Sequence, residues 1–339
     1  MAAISDETIA GLNALVRAKT GDPGARAHSL ETLPGHAGFS YSFVLERTDG
    51  RRPAGKLVVR MAPPGVKIAG PADIMRQARI MASLAGTAVP VPVVHWYGEE
   101  PQFFGRPYFV VEFRDGFKLG ESTLPPDHLK RLARKGIETL LALHNLPWEP
   151  RREAFGEPFP LSDEMKRLDY LLDRPTLDPA VVARAPELRE RLRSTLPANA
   201  RIGCVHGDFQ WSNILFDEQR PRAVIDWEIA LIGPTLLDLG WVCFFSDPAS
   251  WVETEEKKVR PLTAEEIVAI YSEVALFAVS PDEVRWFRAF AGYRFGVITC
   301  FNLMLHRRGK RDDPHWEEVA LSAPLMFEHG LELLDRAAR

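Results

Sequence analysis

Three oxygen-bearing side chains stand at fixed spacings in the second half of the chain: Asp208, Asn213 five residues later, and Asp226 thirteen residues beyond that. Metal-assisted phosphoryl transfer needs such a set. One carboxylate orients and deprotonates an attacking hydroxyl, while an amide and a second carboxylate hold magnesium on ATP. Asp208 is therefore the candidate catalytic residue, and Asn213 and Asp226 are the candidate Mg²⁺ ligands.

A short hairpin is predicted between Asn213 and Asp226. The sequence Ile-Leu-Phe at 214–216 is typical of an apolar strand, 217–221 of a turn, and Ala-Val-Ile at 223–225 of the return strand. Because a hairpin brings its two ends together, it would make Asn213 and Asp226 neighbours, with Asp208 overhanging them. The alternative is that these are ordinary turn residues, for which Asp, Asn and Gly are common.

The segments HGDFQWSN at 206–213 and IDWE at 225–228 resemble those of the aminoglycoside phosphotransferase and choline kinase group, whose fold is similar to that of protein kinases. The resemblance implies Asp208 as catalytic base, Asn213 and Asp226 as Mg²⁺ ligands, and ATP or GTP as phosphate donor. It also implies an α+β fold of two lobes. The N-terminal lobe would be a small antiparallel sheet with a helix, and the C-terminal lobe would be larger and mainly helical.

Three residues close to the signature are predicted to support it. The resemblance implies that His206 braces the catalytic loop and that Asp238, in the sequence LDLG at 237–240, pins this loop by hydrogen bonds. The alternative for His206 is that it is itself the base. Glu228 is expected to support the metal site or to contact substrate, and a solvated loop acid is the alternative.

The length and composition limit the class of protein. A chain of 339 residues exceeds one typical domain and fits two lobes, so we predict a nucleotide-binding lobe over 1–113 and a catalytic and substrate lobe over 114–339. A formal net charge of -4 offers no basic field for nucleic acid. No apolar stretch approaches a membrane span, and the N-terminus does not resemble a signal peptide. Three scattered cysteines are typical of a reducing cytoplasm.

The N-terminal lobe carries signals for a nucleotide site. Alternating apolar residues over 39–45, an Asp49-Gly50 turn and a return strand over 57–61 predict a β-hairpin. The loop before it contains Gly35 and Gly38, whose backbone N–H groups can lie over ATP phosphates. An ordinary turn is the alternative for this loop.

The resemblance implies a cation on the third strand that holds the nucleotide phosphates, and the matching position is Arg60. An arginine suits this role because its planar fork binds phosphate oxygens bidentately. A strand-end arginine in solvent, or Lys56 as the cation, are the alternatives. The sequence VVR at 58–60, followed by PPG at 63–65, resembles the branch of the family found fused to acyl-CoA dehydrogenases.

Two further nucleotide contacts are expected in this lobe. The helix around 73–84 should supply an acidic partner for the cation, but Gln77 stands where the family has glutamate, and Asp73 is the residue that could compensate. The strand over 105–113 is predicted to lead into the hinge between lobes, where the backbone near Glu112 and Phe113 pairs with the adenine edge. An ordinary edge strand is the alternative.

The acceptor is predicted to be a small molecule with a hydroxyl group. Aromatic residues are frequent in the C-terminal half and favour an apolar alcohol, and the resemblance to the acyl-CoA dehydrogenase-linked branch suggests a hydroxylated acyl group. Acidic residues that would suit a polycation are interleaved with basic ones: Asp247, Glu253, Glu255, Glu256, Asp312, Asp313, Glu317 and Glu318. The alternatives are a kinase for an aminoglycoside, a choline-like cation or a protein hydroxyl, a nucleotide-binding pseudokinase, and a metal-free hydrolase.

Overall fold

The structure is a computed structural model that describes residues 4–33, 39–63, 70, 73–174, 176–252 and 259–337. The chain divides into two compact units. The first comprises Met1–Gly116 with Arg222–Ile229, and the second comprises Phe117–Pro221 with Ala230–Arg339. The predicted division of function between 1–113 and 114–339 stays a prediction.

The first unit is built on an antiparallel sheet of five strands in the order β1-β2-β3-β5-β4. Its elements are α1 (Asp6–Thr20), β1 (Arg26–Thr32), β2 (Phe39–Glu46), β3 (Gly55–Met61), α2 (Ile74–Leu84), β4 (Val94–Gly98), α3 (Pro101–Phe104) and β5 (Tyr108–Glu112). The predicted hairpin is present as β2 and β3, and Gly50 in its turn has a φ of 69°. Glycine adopts this left-handed conformation without the steric penalty of a side chain.

Strand β3 separates the core of this unit from its polar face. Leu57, Val59 and Met61 are buried and belong to an apolar cluster that also includes residues of α1. Because successive side chains of a strand point to opposite faces, Arg60 lies on the other face of the sheet. It is paired in register with Phe109 of β5, which anchors its backbone inside the sheet.

The second unit is mainly helical. Its elements are α4 (Pro126–His144), α5 (Arg152–Phe155), α6 (Leu161–Leu172), α7 (Ala185–Ser194), β6 (Ile202–Val205), β7 (Ile214–Phe216), β9 (Leu231–Pro234), α8 (Leu236–Ser246), α9 (Ala264–Val274), α10 (Pro281–Arg307), α11 (His315–Val319) and α12 (Ala323–Ala337). Strand β8 (Pro221–Val224) begins in this unit and continues into the first unit. Strands β6 and β9 pair antiparallel. None of the helices described is long and apolar enough to cross a membrane.

The predicted hairpin after Asn213 is present as β7 and β8, which form a two-stranded sheet. Its turn is closed by Asp217, whose Oδ1 accepts hydrogen bonds from the backbone N–H groups of Gln219 at 2.7 Å and Arg220 at 2.8 Å. The return strand starts at Pro221, two residues earlier than the apolar pattern predicts. A proline is compatible with the first position of a strand, where a missing N–H donor costs little.

Helix α8 lies closely against α10. A side chain at Gly240 would place its Cβ only 2.4 Å from the backbone oxygen of Phe287, so glycine permits this approach. Helix α10 begins at the cap Ser280, whose hydroxyl accepts a hydrogen bond from the N–H of Glu283 at 3.3 Å. Helix α8 also contacts the loop that follows β6, which carries Asp208.

Candidate active site

The carboxylate of Asp208 is oriented by three neutral donors. Its Oδ1 accepts hydrogen bonds from Nε1 of Trp241 at 2.7 Å and from Nε2 of Gln210 at 2.9 Å. Its Oδ2 accepts one from Nδ2 of Asn213 at 2.8 Å. Together these donors hold the carboxylate in one orientation.

Asn213 ends a short 3₁₀ turn, Trp211–Asn213. Its side-chain nitrogen, Nδ2, faces the loop that carries Asp208. Besides the bond to the Asp208 carboxylate, Nδ2 donates to the backbone oxygen of Asp208 at 2.9 Å. Since an amide carries its nitrogen and oxygen on opposite branches, Oδ1 points away from Asp208. The residue is buried, with 8% of its surface exposed.

Asp238, in the first turn of α8, accepts hydrogen bonds from the backbone of the loop that carries Asp208. Its Oδ2 accepts from the N–H of His206 and its Oδ1 from the N–H of Gly207, both at 2.7 Å. Nε2 of His144 lies 3.2 Å from the same Oδ2. Asp238 and both histidines are fully buried, so these bonds are shielded from water.

The two histidines have structural contacts in this network. Nδ1 of His206 accepts a hydrogen bond from the backbone N–H of Asp208 at 3.2 Å, which leaves the proton of a neutral ring on Nε2. His144 has its Nδ1 2.7 Å from the hydroxyl of Tyr271. Burial lowers the pKa of His144, against the opposing effect of Asp238, so its ring is neutral at pH 7.

A buried arginine supports the same loop from α10. Nη1 of Arg294 donates to the backbone oxygen of Gly207 at 3.1 Å, and the guanidinium lies 4.7 Å above the ring of Trp241. Its Nε is 3.0 Å from Glu164 on α6. Burial opposes ionisation of Glu164, yet Arg167 and Arg294 hold the pKa of this carboxyl below its usual range.

Trp241, Gln210 and Arg294 were not predicted from the sequence to contact Asp208 or its loop. Gln210 lies inside the signature segment, two residues from Asp208, and its position was the one signal that could have revealed it. Trp241 lies 33 residues from Asp208, and Arg294 lies 87 residues from Gly207. No spacing rule connects such distant residues.

In the first unit, Arg60 forms ion pairs with the two acidic residues of the IDWE segment at 225–228. Its Nη1 lies 3.3 Å from Oδ1 of Asp226, and its Nη2 lies 3.2 Å from Oε2 of Glu228. Asp226 has a φ of 68°, a left-handed conformation that non-glycine residues adopt at a cost of roughly 1–3 kcal/mol. The following Trp227 is buried and donates its Nε1 to the backbone oxygen of Val224 at 3.0 Å, which helps to hold this strained turn.

Gln77 and Asp73 both belong to the start of α2. Gln77 is buried, with 2% of its surface exposed. Asp73 is the N-cap of the helix, where its Oδ1 accepts from the N–H of Arg76 at 3.0 Å, and its Oδ2 lies 3.4 Å from Arg79. Asp73 thus caps α2 and pairs with a cation of the same helix.

The predicted hinge residues lie at the end of β5. The backbone N–H of Glu112 donates to the backbone oxygen of Val93 at 2.9 Å, and the backbone N–H of Phe113 donates to the backbone oxygen of Lys56 at 3.2 Å. Both N–H groups are therefore engaged within the first unit, and pairing with adenine stays a prediction. Gly35 and Gly38 of the predicted phosphate loop lie outside the described residues, as do Pro64 and Gly65.

The predicted metal ligands are of the type that suits magnesium. Among the described residues, no group of three or more His, Cys, Asp and Glu side chains could hold a metal ion by itself. Mg²⁺ does not require one, because it is commonly bound through one or two carboxylates with water and phosphate oxygens completing its shell. Asp226 offers a carboxylate, and Asn213 offers a carboxamide oxygen turned away from Asp208, so each residue is chemically suited to this ion, and their joint role as its ligands stays a prediction.

Comparison with known proteins identifies the family. The family model described as the phosphotransferase enzyme family, APH, matches residues 25–291. This range covers most of the chain, and the protein therefore belongs to that family.

Curated relatives of the chain are larger proteins. Acyl-CoA dehydrogenase family member 10 of Mus musculus is 25% identical over 260 residues, which are 72% of this chain and 24% of that protein. Acyl-CoA dehydrogenase family member 11 of Homo sapiens is 28% identical over 202 residues, which are 56% of this chain and 25% of that protein. The chain thus spans about a quarter of the length of these relatives.

Solved structures share the fold over nearly the whole chain. A Ralstonia eutropha protein described as a candidate aminoglycoside phosphotransferase has a TM-score of 0.76 at 20% identity and covers 96% of this chain and 98% of its own. A variant of APH(4)-Ia, bound to ADP and hygromycin B, has a TM-score of 0.62 at 19% identity, covering 94% and 99%. A variant of aminoglycoside 2'-phosphotransferase-IIIa, bound to GDP, has a TM-score of 0.64 at 18% identity and covers 97% of this chain and 97% of its own. The predicted kinase-like α+β fold is confirmed.

Proposed function

We propose that this protein transfers the γ-phosphoryl group of ATP to a hydroxyl of a small molecule, with GTP as an alternative donor. The observation that carries the proposal is the carboxylate of Asp208, oriented by Trp241, Gln210 and Asn213 at 2.7–2.9 Å. A carboxylate held in one orientation can align a hydroxyl and accept its proton. Phosphoryl transfer depends mainly on such positioning and on charge stabilisation, which suits a weak base.

The remaining residues have roles that follow from their chemistry. Mg²⁺, when bound by Asn213 and Asp226, would neutralise the charge of the phosphate oxygens. Arg60 would bind phosphate oxygens through its planar fork. His206 and Asp238 would hold the catalytic loop, since both contact its backbone. Family membership and the ADP and GDP complexes of the fold neighbours support a nucleoside triphosphate as donor.

An apolar acceptor is supported by the aromatic cluster that adjoins Asp208. Trp241 bonds to Asp208 and contacts other rings at centroid distances of 5.3–6.2 Å: Phe244, Phe245 and Phe295. Phe245 and Phe295 remain partly exposed. A wall of aromatic side chains beside the reacting hydroxyl favours an apolar alcohol over a heavily hydrated cation.

The charges near this cluster also argue against a polycation as acceptor. Asp247 lies 2.8 Å from Arg288 and 2.9 Å from His329. Burial opposes its ionisation, but His329 and Arg288 lower the pKa of Asp247 to about 2. Glu317 is paired with Arg307 at 2.8 Å. These carboxylates are already neutralised, whereas Glu253, Glu255 and Glu256 lie outside the described residues.

The relatives suggest which apolar alcohol to test first. Since the curated relatives are named as acyl-CoA dehydrogenase family members, a hydroxylated acyl group, free or as its CoA thioester, is the first candidate. Fold alone does not fix a substrate, so the choice rests on the name of these relatives and on the aromatic cluster.

The test is a panel of acceptors. The protein is incubated with Mg²⁺–ATP or Mg²⁺–GTP and hydroxyacyl-CoAs, hydroxy acids, simple apolar alcohols, choline analogues or aminoglycosides, and nucleoside diphosphate release is followed. We expect turnover with a hydroxyacyl or apolar alcohol. Turnover confined to aminoglycosides or choline analogues would overturn the apolar acceptor. Nucleotide binding without any turnover would indicate a pseudokinase.

Asp208→Ala is the matched variant for this assay. We expect it to lower kcat by about 100- to 10,000-fold, the range for loss of a positioned acid–base group. The Kd for Mg²⁺–AMP-PNP, measured by calorimetry, should change less than about threefold, because Asp208 binds the acceptor. Full activity of this variant would refute its role as catalytic residue.

A further inference from the structure

We propose that Glu228 is the residue that positions Arg60 for the nucleotide phosphates. It would supply the counter-charge that the resemblance leads us to expect in the helix after the third strand, where this chain has Gln77. The inference rests on the proposed function and names a positioning residue for that same reaction. Glu228 would act through Arg60 and would not contact the reacting atoms.

The first observation is the geometry around the guanidinium group of Arg60. Nη1 of Arg60 faces Asp226 at 3.3 Å, and Nη2 faces Glu228 at 3.2 Å. The two carboxylates thus use different ends of the guanidinium. A phosphate that replaces Asp226 at Nη1 would leave the contact between Glu228 and Nη2 in place. Glu228 can therefore hold the fork in one orientation while its other end binds phosphate.

The second observation is burial. The side chain of Arg60 is 17% exposed, and that of Glu228 is 28% exposed. A guanidinium with so little contact with water is costly unless a carboxylate lies against it. The backbone of Arg60 is held inside the sheet between β2 and β5. An acidic residue that neutralises Arg60 must therefore be placed next to it by another part of the chain.

The third observation concerns α2, which has no acidic residue in its first turn. Gln77 is uncharged and cannot neutralise Arg60, while Asp73 caps the helix and lies against Arg79. The helix instead holds the turn that carries Glu228, because Nη1 of Arg76 donates to the backbone oxygen of Glu228 at 3.4 Å. The acidic residues that lie against Arg60 are thus on the turn that carries Asp226 and Glu228.

The test is direct binding of Mg²⁺–AMP-PNP by calorimetry to wild type and Glu228→Gln. We expect the Kd to rise about tenfold, because an uncharged amide holds the guanidinium less firmly. The matched control is Glu46→Gln, which breaks an exposed ion pair with Arg26 in the same unit and should leave Kd unchanged. A Kd that stays the same, or that falls because Glu228 competes with phosphate, would overturn the proposal.

A double-mutant cycle with Arg60→Gln separates indirect from direct action. If Glu228 acts through Arg60, adding Glu228→Gln to Arg60→Gln should raise Kd less than about twofold. Independent, multiplicative effects would mean that Glu228 contacts the ligand by another route, and the inference would be wrong.

Two further measurements keep the test decisive. Glu228→Asp retains the charge but shortens the side chain by one methylene, so we expect a Kd about threefold above wild type even if the Gln variant folds poorly. An unchanged Kd in the Asp variant would then count against the inference. Failure of the wild type to bind either Mg²⁺–AMP-PNP or Mg²⁺–GMP-PNP would instead refute the proposed function, and this inference with it.

Discussion

The indole N–H of Trp241 donates the shortest of the three side-chain hydrogen bonds to Asp208, at 2.7 Å. Its ring is in turn covered by the guanidinium of Arg294, which also binds the backbone of Gly207. Hydrogen bonds to ionised groups contribute roughly 1.5–3 kcal/mol, more than neutral ones. A residue outside the signature motif thus takes part in orienting the proposed base.

We predict that Trp241→Phe lowers kcat about tenfold while the KM for nucleotide stays within about twofold of wild type. Phenylalanine keeps an aromatic ring beneath Arg294 but loses the N–H, and a loss of 1.4 kcal/mol corresponds to a factor of ten. Steady-state kinetics with the acceptor found in the panel measure both constants.

The control for this prediction is Trp286→Phe. Trp286 is equally buried in the same unit, and its Nε1 donates to the backbone oxygen of Leu192 at 3.2 Å. Its loss should reduce stability but leave kcat unchanged. If both variants reduce kcat to the same extent, the effect of Trp241 is on folding and its role in orienting Asp208 is refuted.

At the scale of elements, the start of α8 joins the loop that carries Asp208 to the helical core. Asp238 accepts hydrogen bonds from two backbone N–H groups of the loop and lies against His144 at the end of α4. Because Gly240 lets α8 lie directly against α10, this anchor is part of the main helical packing. A change at Asp238 therefore affects loop geometry and stability together.

We predict that Asp238→Asn lowers the free energy of unfolding by about 3 kcal/mol, because one acceptor oxygen becomes a donor that faces buried donors. Urea unfolding followed by circular dichroism measures this change. The control is Asp335→Asn, at an exposed pair with Arg191, which should stay within about 0.5 kcal/mol of wild type. Equal effects at the two positions would contradict an anchoring role for Asp238.

At the scale of the whole molecule, nucleotide binding should appear as thermal stabilisation. A ligand that binds only the folded protein at 100 times its Kd stabilises it by about 2.7 kcal/mol. We predict that Mg²⁺–AMP-PNP raises Tm in wild type and in Asp208→Ala, and that Asp226→Ala or removal of Mg²⁺ with EDTA abolishes most of this rise.

Scanning fluorimetry with and without ligand measures these shifts. An equal Tm rise in Asp226→Ala, at the same concentrations of Mg²⁺ and AMP-PNP, would mean that Asp226 is not a metal ligand. A rise that survives EDTA would mean that nucleotide binding does not require the metal.

Local features of the molecule could be predicted from the sequence. The hairpin after Asn213 and the hairpin around Asp49-Gly50 follow from apolar alternation and turn residues that are close in the chain. The family follows from a contiguous signature, and its membership is confirmed by the match over 25–291. Even the capping role of Asp73 has a local cause, since aspartate is a preferred N-cap.

The partners of the site residues were decided by the tertiary structure. Arg60 and Glu228 are 168 residues apart, and Asp208 and Trp241 are 33 residues apart. Which side chains meet across such separations depends on strand register, on the face of β3 that carries Arg60, and on the approach of α8 to α10 at Gly240. The sequence by itself determined the family and predicted the candidate reacting groups, because both are encoded in short segments. It did not determine what orients those groups, because that depends on the packing of elements that are distant in the chain.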